Sequence, residues 1–285
     1  MPNVSTSDPS LSDQMRGDGA TGSAPSPDDA AVMSFLDHLE ELRWMLLKGG
    51  TGLLVSIIGC AFFSNWIVDR VLIGPTRTDF FMYRVLGIEA KELELLNRTI
   101  TGQFFADIGT IIVVGLVIGS PIMVYFLWRF IEPALYPSER SGMRFSAVFA
   151  TFFFLLGIAF GYFILTPLAL QFFAQYTLSE QIVNQFDIIT YFSMVTFWAV
   201  GTGLLFELPV VIYFLAKVGI ITPDIMRTYR KYALLVVLII GAFLTPPDPI
   251  SQVIVALPLL LLYELSIFVA AFVAKRRRKK LGMET

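Results

Sequence analysis

The sequence predicts an all-α, polytopic membrane protein of six spanning helices with both termini on the cytoplasmic side. Three observations carry that prediction. The 285 residues are 55% apolar with a mean hydropathy of +0.70. Only 15% are charged, against roughly a quarter in soluble proteins. Apolar runs of about 20 residues recur, the length that crosses ~30 Å of hydrocarbon.

Residues 1–33 are rich in Ser, Asp, Pro and Gly and have almost no large apolar groups. They cannot bury enough surface to offset ordering entropy, so they are expected to form a disordered tail. No basic residues abut a short apolar core, so a signal peptide is not expected. Asp8, Asp13, Asp18, Asp28 and Asp29 make a poor organelle transit sequence, which points to a bacterial inner membrane. Residues 34–274 form the membrane domain and 275–285 a basic tail.

Ser34 to Leu47 reads as a helix at the cytoplasmic surface leading into the first span. Ser34-x-x-Asp37 has capping-box spacing. Phe35, Leu36, Leu39, Leu42 and Leu46 repeat with helical period. His38 and Glu41 share a face, and Asp37, Glu40 and Glu41 make it acidic. Basic groups are the ones favoured beside anionic lipid heads, so this acidity is notable.

The spans follow in order. The first is read from Leu46 to Val68, the second from Ile108 to Arg129, and the third from Phe145 to Leu165. Thr166-Pro167 then supplies a stop or kink. The fourth, Tyr191 to Ala216, contains one charge, Glu207, followed two residues later by Pro209. An ionised carboxylate at mid-bilayer costs at least ~2.5–3.5 kcal/mol, so it needs a cavity, a partner or a proton. The fifth, Tyr232 to Leu244, reaches only ~20 Å at 1.5 Å per residue. The sixth begins near Ile250 and either ends at Glu264 or continues with Glu264 turned inward.

Basic residues set the orientation. Arg43, Lys48, Arg129, Arg140, Arg144, Lys217, Arg227, Arg230 and Lys231 flank one side, with Lys275 to Lys280 unbroken at the end. The stretches Gln171–Thr190 and Thr245–Pro249 contain neither Lys nor Arg, which puts the termini in the cytoplasm. The first loop mixes both signs and is long enough for a small folded extracytoplasmic cap; Lys91 to Leu96 looks helical. The terminal basic run reads as an orientation anchor and a contact with membrane lipids, and a nucleic-acid role is not expected. Gly49, Gly50, Gly52, Gly59 and Cys60 fit close helix packing.

Several chemistries are excluded. One cysteine permits no internal disulfide or cysteine zinc site, and one histidine permits no histidine cluster. There is no G-x-x-x-x-G-K-[ST] loop. No cofactor, metal or catalytic residue is expected.

Four motifs then fall in register. His38-Leu39-Glu40-Glu41-Leu42-Arg43 resembles the amino-terminal signature of TatC, the polytopic subunit of the twin-arginine protein translocase. Phe130-Ile131-Glu132-Pro133-Ala134-Leu135-Tyr136-Pro137-Ser138-Glu139-Arg140 is similar to that family's second-loop motif. Phe206-Glu207-Leu208-Pro209 resembles its fourth-helix motif. Leu244-Thr245-Pro246-Pro247-Asp248 with Ser251-Gln252 resembles its fifth loop.

The resemblance implies a concave six-helix bundle with short fifth and sixth helices. It further implies a receptor for twin-arginine signal peptides on folded cargo, in a Sec-independent export system driven by the proton gradient. TatA- and TatB-type single-span subunits and other copies of the chain are the implied partners. Glu41 and Glu139 would receive the arginine pair, with Phe130 and Arg43 in the same patch. Glu207 would meet signal-peptide or partner helices in the membrane, and Pro75, Asp248 and Gln252 are further candidates. A guanidinium grips a carboxylate through two parallel hydrogen bonds, which a lysine cannot do. An exposed pair contributes only ~0–1 kcal/mol, so an apolar lip such as Phe130 is needed for discrimination.

Two other classes compete. A proton-coupled solute transporter would use Glu207 as its titrating group and predicts repeated, interrupted helices in both halves. An intramembrane enzyme needs a second catalytic group beside Glu207, and the fourth span offers none.

Overall fold

The computed structural model describes residues 27–131, 143–179 and 181–280. It divides into two compact units, Met1–Trp44 and Met45–Thr285. The described part of the first is continuous helix, the opening portion of α1 (Pro27–Ala61). That helix starts seven residues ahead of the expected cap, so Ser34 lies inside it. Proline's fixed φ suits the first helical position, where no N–H partner exists anyway.

In the second unit, α1 ends at Ala61, short of the expected Val68. The chain turns at Phe62 and Phe63, then forms α2 (Ser64–Ile67) and a wide π turn, Val68–Leu72. The Ser64 hydroxyl donates to the Asp107 carboxylate at 3.0 Å and holds the turn in place. A 3-10 turn, Gly74–Thr76, and α3 (Phe81–Leu86) continue the cap, with Gly87 ending α3 at φ +66°.

The stretch Lys91–Leu96 is extended rather than helical. Leu95–Leu96 (β1) pairs in parallel with Phe186–Asp187 (β2) of the third loop. Ahead of that pair, the buried Gln171 amide accepts from Lys91 N at 2.8 Å and donates to Lys91 O at 3.0 Å. A side chain thus extends the ladder, and these long-range bonds override the local helical tendency.

Two helices follow, α4 (Gly102–Ile131) and α5 (Met143–Phe160). Thr166-Pro167 does not stop the third span. A π turn at Gly161–Leu165 carries it into α6 (Thr166–Gln175). The wider turn makes room for the Pro167 ring, and the Thr166 hydroxyl donates to Gly161 O at 2.9 Å, across five residues. The fourth segment is α7 (Ile188–Phe206) and α8 (Leu208–Val218), separated by Glu207. Gly219, at φ +91°, closes α8.

After α9 (Pro223–Thr228) come α10 (Arg230–Leu244) and α11 (Pro249–Lys280). Of the two readings for the last helix, the continuous one holds, so this helix is 32 residues long rather than short. Among the described residues, five helical segments have the length and apolarity to span a membrane: Leu39–Ala61, Gly102–Leu127, Ala147–Gln175, Ile188–Val218 and Pro249–Arg276. The 15-residue α10 falls short of that length.

Small residues set the helix crossings, as expected where lipid removes the hydrophobic drive to pair. A Cβ on Gly157 would lie 2.6 Å from Thr202 O and 2.8 Å from Gly203 Cα, so α5 and α7 touch backbone to backbone. The Thr202 hydroxyl sits 2.7 Å from Gly157 O and secures the crossing. On α4, Gly115 meets the Ile57 backbone of α1 in the same way, and Gly119 meets the Leu53 and Ser56 side chains. Gly49 and Gly52 also face α4, as expected for packing glycines, whereas Gly50 and Gly59 meet nothing within 4 Å.

Two tyrosines clasp the cap to the bundle through its backbone, and a third braces the cap internally. Tyr162 donates to Val71 O at 2.7 Å, Tyr191 donates to Leu72 O, and Tyr83 donates to Pro75 O. Burial raises the Tyr83 phenol above its ordinary value.

Candidate functional site

Pro209 has no N–H, so the carbonyl of Leu205 would lose its helical partner. The chain resolves this at Glu207, whose N–H turns to both Leu204 O and Leu205 O and ends α7. The Glu207 carbonyl then accepts from Val210 N and Val211 N, each at 3.0 Å, and starts α8. One residue therefore caps the end of one helix and the start of the next, which puts its side chain at a break in the span.

Beyond the first helix, three carboxylates lie within the spanning segments. Asp107 accepts from Ser64, and Glu264 holds Arg230 through two contacts of 2.8 Å. Glu207, among the described residues, has neither a hydrogen-bonding nor an ionic side-chain partner. Its residue is half-buried, and its oxygens remain accessible rather than sealed. The neighbouring Phe206 is buried and stacks on Phe160, ring centres 5.5 Å apart, so the break is rigidly seated. This is a half-buried acceptor at the break between two apolar helices.

The Thr245-Pro246-Pro247-Asp248 corner has a structural explanation. Asp248 Oδ2 accepts from Ser251 N at 2.7 Å and caps α11. That bond, and others from Ser251 and Ile250, hold its carboxyl below the ordinary aspartate value. Gln252 donates to Leu238 O at 3.3 Å and ties α11 to α10. Pro75 is buried in the cap, with its carbonyl occupied by Tyr83.

Glu41 and Arg43 are exposed on the opening part of α1, with Glu40 exposed beside them. Phe130 lies in the last turn of α4, its side chain outside the described residues, and Glu139 falls outside them altogether. The expected pairing of Glu41 with Glu139 is therefore outside what is described. Among the described residues no three His, Cys, Asp or Glu side chains converge as a metal site would require.

The sequence reading missed the Arg230–Glu264 pair, the Gly157–Thr202 crossing and the tyrosine clasp. Gly157-x-x-x-Gly161 and Gly115-x-x-x-Gly119 were legible signals for the crossings. Nothing in the order of residues announces the clasp, because its acceptors are backbone carbonyls.

Helices of this length, a folded cap and an accessible intramembrane carboxylate define a multi-pass membrane protein with a transport or docking role. Residues 37–258 match the family model of the Sec-independent protein translocase protein (TatC). The TatC protein of Blattabacterium is 35% identical over 259 residues, covering 86% of this chain and 97% of that one. That of Aquifex aeolicus is 34% identical over 87% of this chain and 98% of its own. Bacillus subtilis TatCy is 32% identical over 87% of this chain and 92% of its own. Two crystal structures of the twin-arginine translocase receptor TatC superpose with TM-scores of 0.63 and 0.65 at 34% and 35% identity. They cover 83% and 82% of this chain and 99% of each of theirs. The chain belongs to the TatC family and is a TatC-type component of the Sec-independent protein translocase, a transport role.

Proposed function

We propose that this protein is the membrane receptor that binds twin-arginine signal peptides of folded cargo, with both termini in the cytoplasm. The observation that carries the reading is the accessible carboxylate of Glu207 at a helix break within a span, without a side-chain partner among the described residues. A polar group on a signal peptide or on a TatA- or TatB-type helix is what such a site accepts. Glu41 and Glu139 take the two guanidinium groups, Phe130 excludes water beside them, and Arg43 completes the patch. Pro75, Asp248 and Gln252 hold the supporting turns of the receptor. The proton gradient drives transport, in keeping with a sequence that has no nucleotide-binding loop. Copies of the chain assemble with each other and with the single-span subunits.

The test is photocrosslinking of a signal peptide to the purified protein, with Arg-Arg compared against Lys-Lys. Labelling by the arginine peptide alone is expected, and equal labelling by both would overturn the receptor reading.

A further inference from the structure

A second feature of the membrane domain adjoins the helix break at Glu207. The cytoplasm-proximal half of α11, on the orientation proposed above, presents Leu265, Phe268, Val269, Phe272 and Arg276 along one face. Phe149 and Phe153 of α5 form the second wall, and Pro209, Val210 and Tyr213 of α8 the third. Together they enclose a slot of about 640 Å³.

We propose that this slot holds one acyl chain of an anionic phospholipid, with the lipid phosphate on Arg276. Length supports that occupant. Leu265 to Arg276 rises ~16 Å at 1.5 Å per residue, close to half of the ~30 Å hydrocarbon thickness. Arg276 is also the residue at which the apolar segment Pro249–Arg276 ends, the level of the lipid headgroups.

Charge supports it too. Apart from the Tyr213 hydroxyl, the slot is apolar along its length, and the one charge on it stands at one end. The Arg276 guanidinium lies over the Phe272 ring, 4.3 Å from its centre. That contact fixes the cation at the slot's mouth and leaves its N–H edges free for a phosphate, which guanidinium binds bidentately. Among the described residues Arg276 has no carboxylate partner. A free phosphate would gain nothing from the aromatic walls. A partner's helix is 10–12 Å across, whereas the slot falls within the ~300–1,000 Å³ typical of small-molecule sites.

The experiment is native mass spectrometry of the full chain, titrated in detergent with phosphatidylglycerol and with phosphatidylcholine of the same acyl chains. One phosphatidylglycerol is expected to be retained about fivefold more tightly, the worth of one basic residue at a membrane surface. Arg276→Gln, at an exposed position, is expected to abolish that preference. A variant with residues 277–280 all changed to Gln is expected to keep it. Val269→Trp fills the slot and is expected to displace both lipids; should it not fold, Arg276→Gln decides alone. Equal retention of the two lipids, an unchanged preference in Arg276→Gln, or its loss in the 277–280 variant would overturn the proposal. So would a photoreactive group at Phe268 that labels a partner's membrane helix instead of phosphatidylglycerol.

Discussion

Arg230, the first residue of α10, grips Glu264 in the middle of α11 through a two-pronged ion pair. Nε meets Oε1 and Nη2 meets Oε2, each at 2.8 Å. The pair explains why α11 runs on through an acid that the sequence left as either a helix end or an inward-turned residue of a longer helix. It also fixes the register of the 15-residue α10 against its long neighbour, while Gln252 holds Leu238 O near the middle of α10.

Breaking that pair should loosen α10 more than it destabilises the whole protein. Both side chains are about half-exposed, at 55% and 40%, so the pair contributes up to about 1 kcal/mol. Glu264→Gln and Arg230→Gln should each increase proteolysis within residues 219–230. The reciprocal exchange, Arg230→Glu with Glu264→Arg, should restore protection; additive loss in the exchange would show that the pairing does not hold α10.

Glu207→Ala should spare membrane insertion and thermal stability, since the carboxylate supports no contact in the described fold. Recovery of co-purified single-span subunits should fall about three- to twentyfold, the ~0.6–1.7 kcal/mol span of measured hydrogen bonds between membrane helices. Glu207→Gln should retain part of the binding. Undiminished recovery with Ala would remove the docking role.

Gly157→Ala should destabilise the α5–α7 crossing, because the new methyl meets backbone at 2.6 Å and 2.8 Å rather than a movable side chain. Overpacking of this kind costs typically ~1–3 kcal/mol. Thermal unfolding in detergent should record a clear drop for Gly157→Ala and none for Gly50→Ala, whose added Cβ meets open space.

The cap should detach when its clasp is cut. Tyr191→Phe leaves the buried Leu72 carbonyl without its donor, a penalty of ~1–3 kcal/mol. Hydrogen exchange over residues 68–76 should accelerate in that variant while exchange in α10 and α11 stays as in the parent.

Acid should weaken two helix starts. Asp187 accepts from Thr190 N and Ile189 N at the head of α7, and backbone hydrogen bonding, led by Thr190, holds its carboxyl below the ordinary value of 3.8. Asp248, held low mainly by the Ser251 N–H, does the same for α11. A depressed folded value stabilises above the ordinary aspartate pKa and is lost as pH falls through the folded one. The contribution of these two caps should therefore be flat from neutral pH to about 4 and decline below it. In the double variant Asp187→Asn, Asp248→Asn, the decline should be shallower when unfolding midpoints are measured from pH 7 to 3.

The sequence by itself determined the membrane class, the positions of the apolar segments and the family, because hydropathy and short motifs act within one stretch of chain. Glu207 was legible for the same reason, as a lone charge between apolar neighbours. Tertiary structure decided the rest. Lys91–Leu96 became extended because Gln171 and Phe186–Asp187, about 80 to 90 residues away, supply its backbone partners. Thr166-Pro167 stayed helical because a π turn absorbed the proline, and Glu264 stayed in its helix because Arg230 neutralised it. Each outcome turned on a partner distant in sequence, and local propensity carries no information about such a partner.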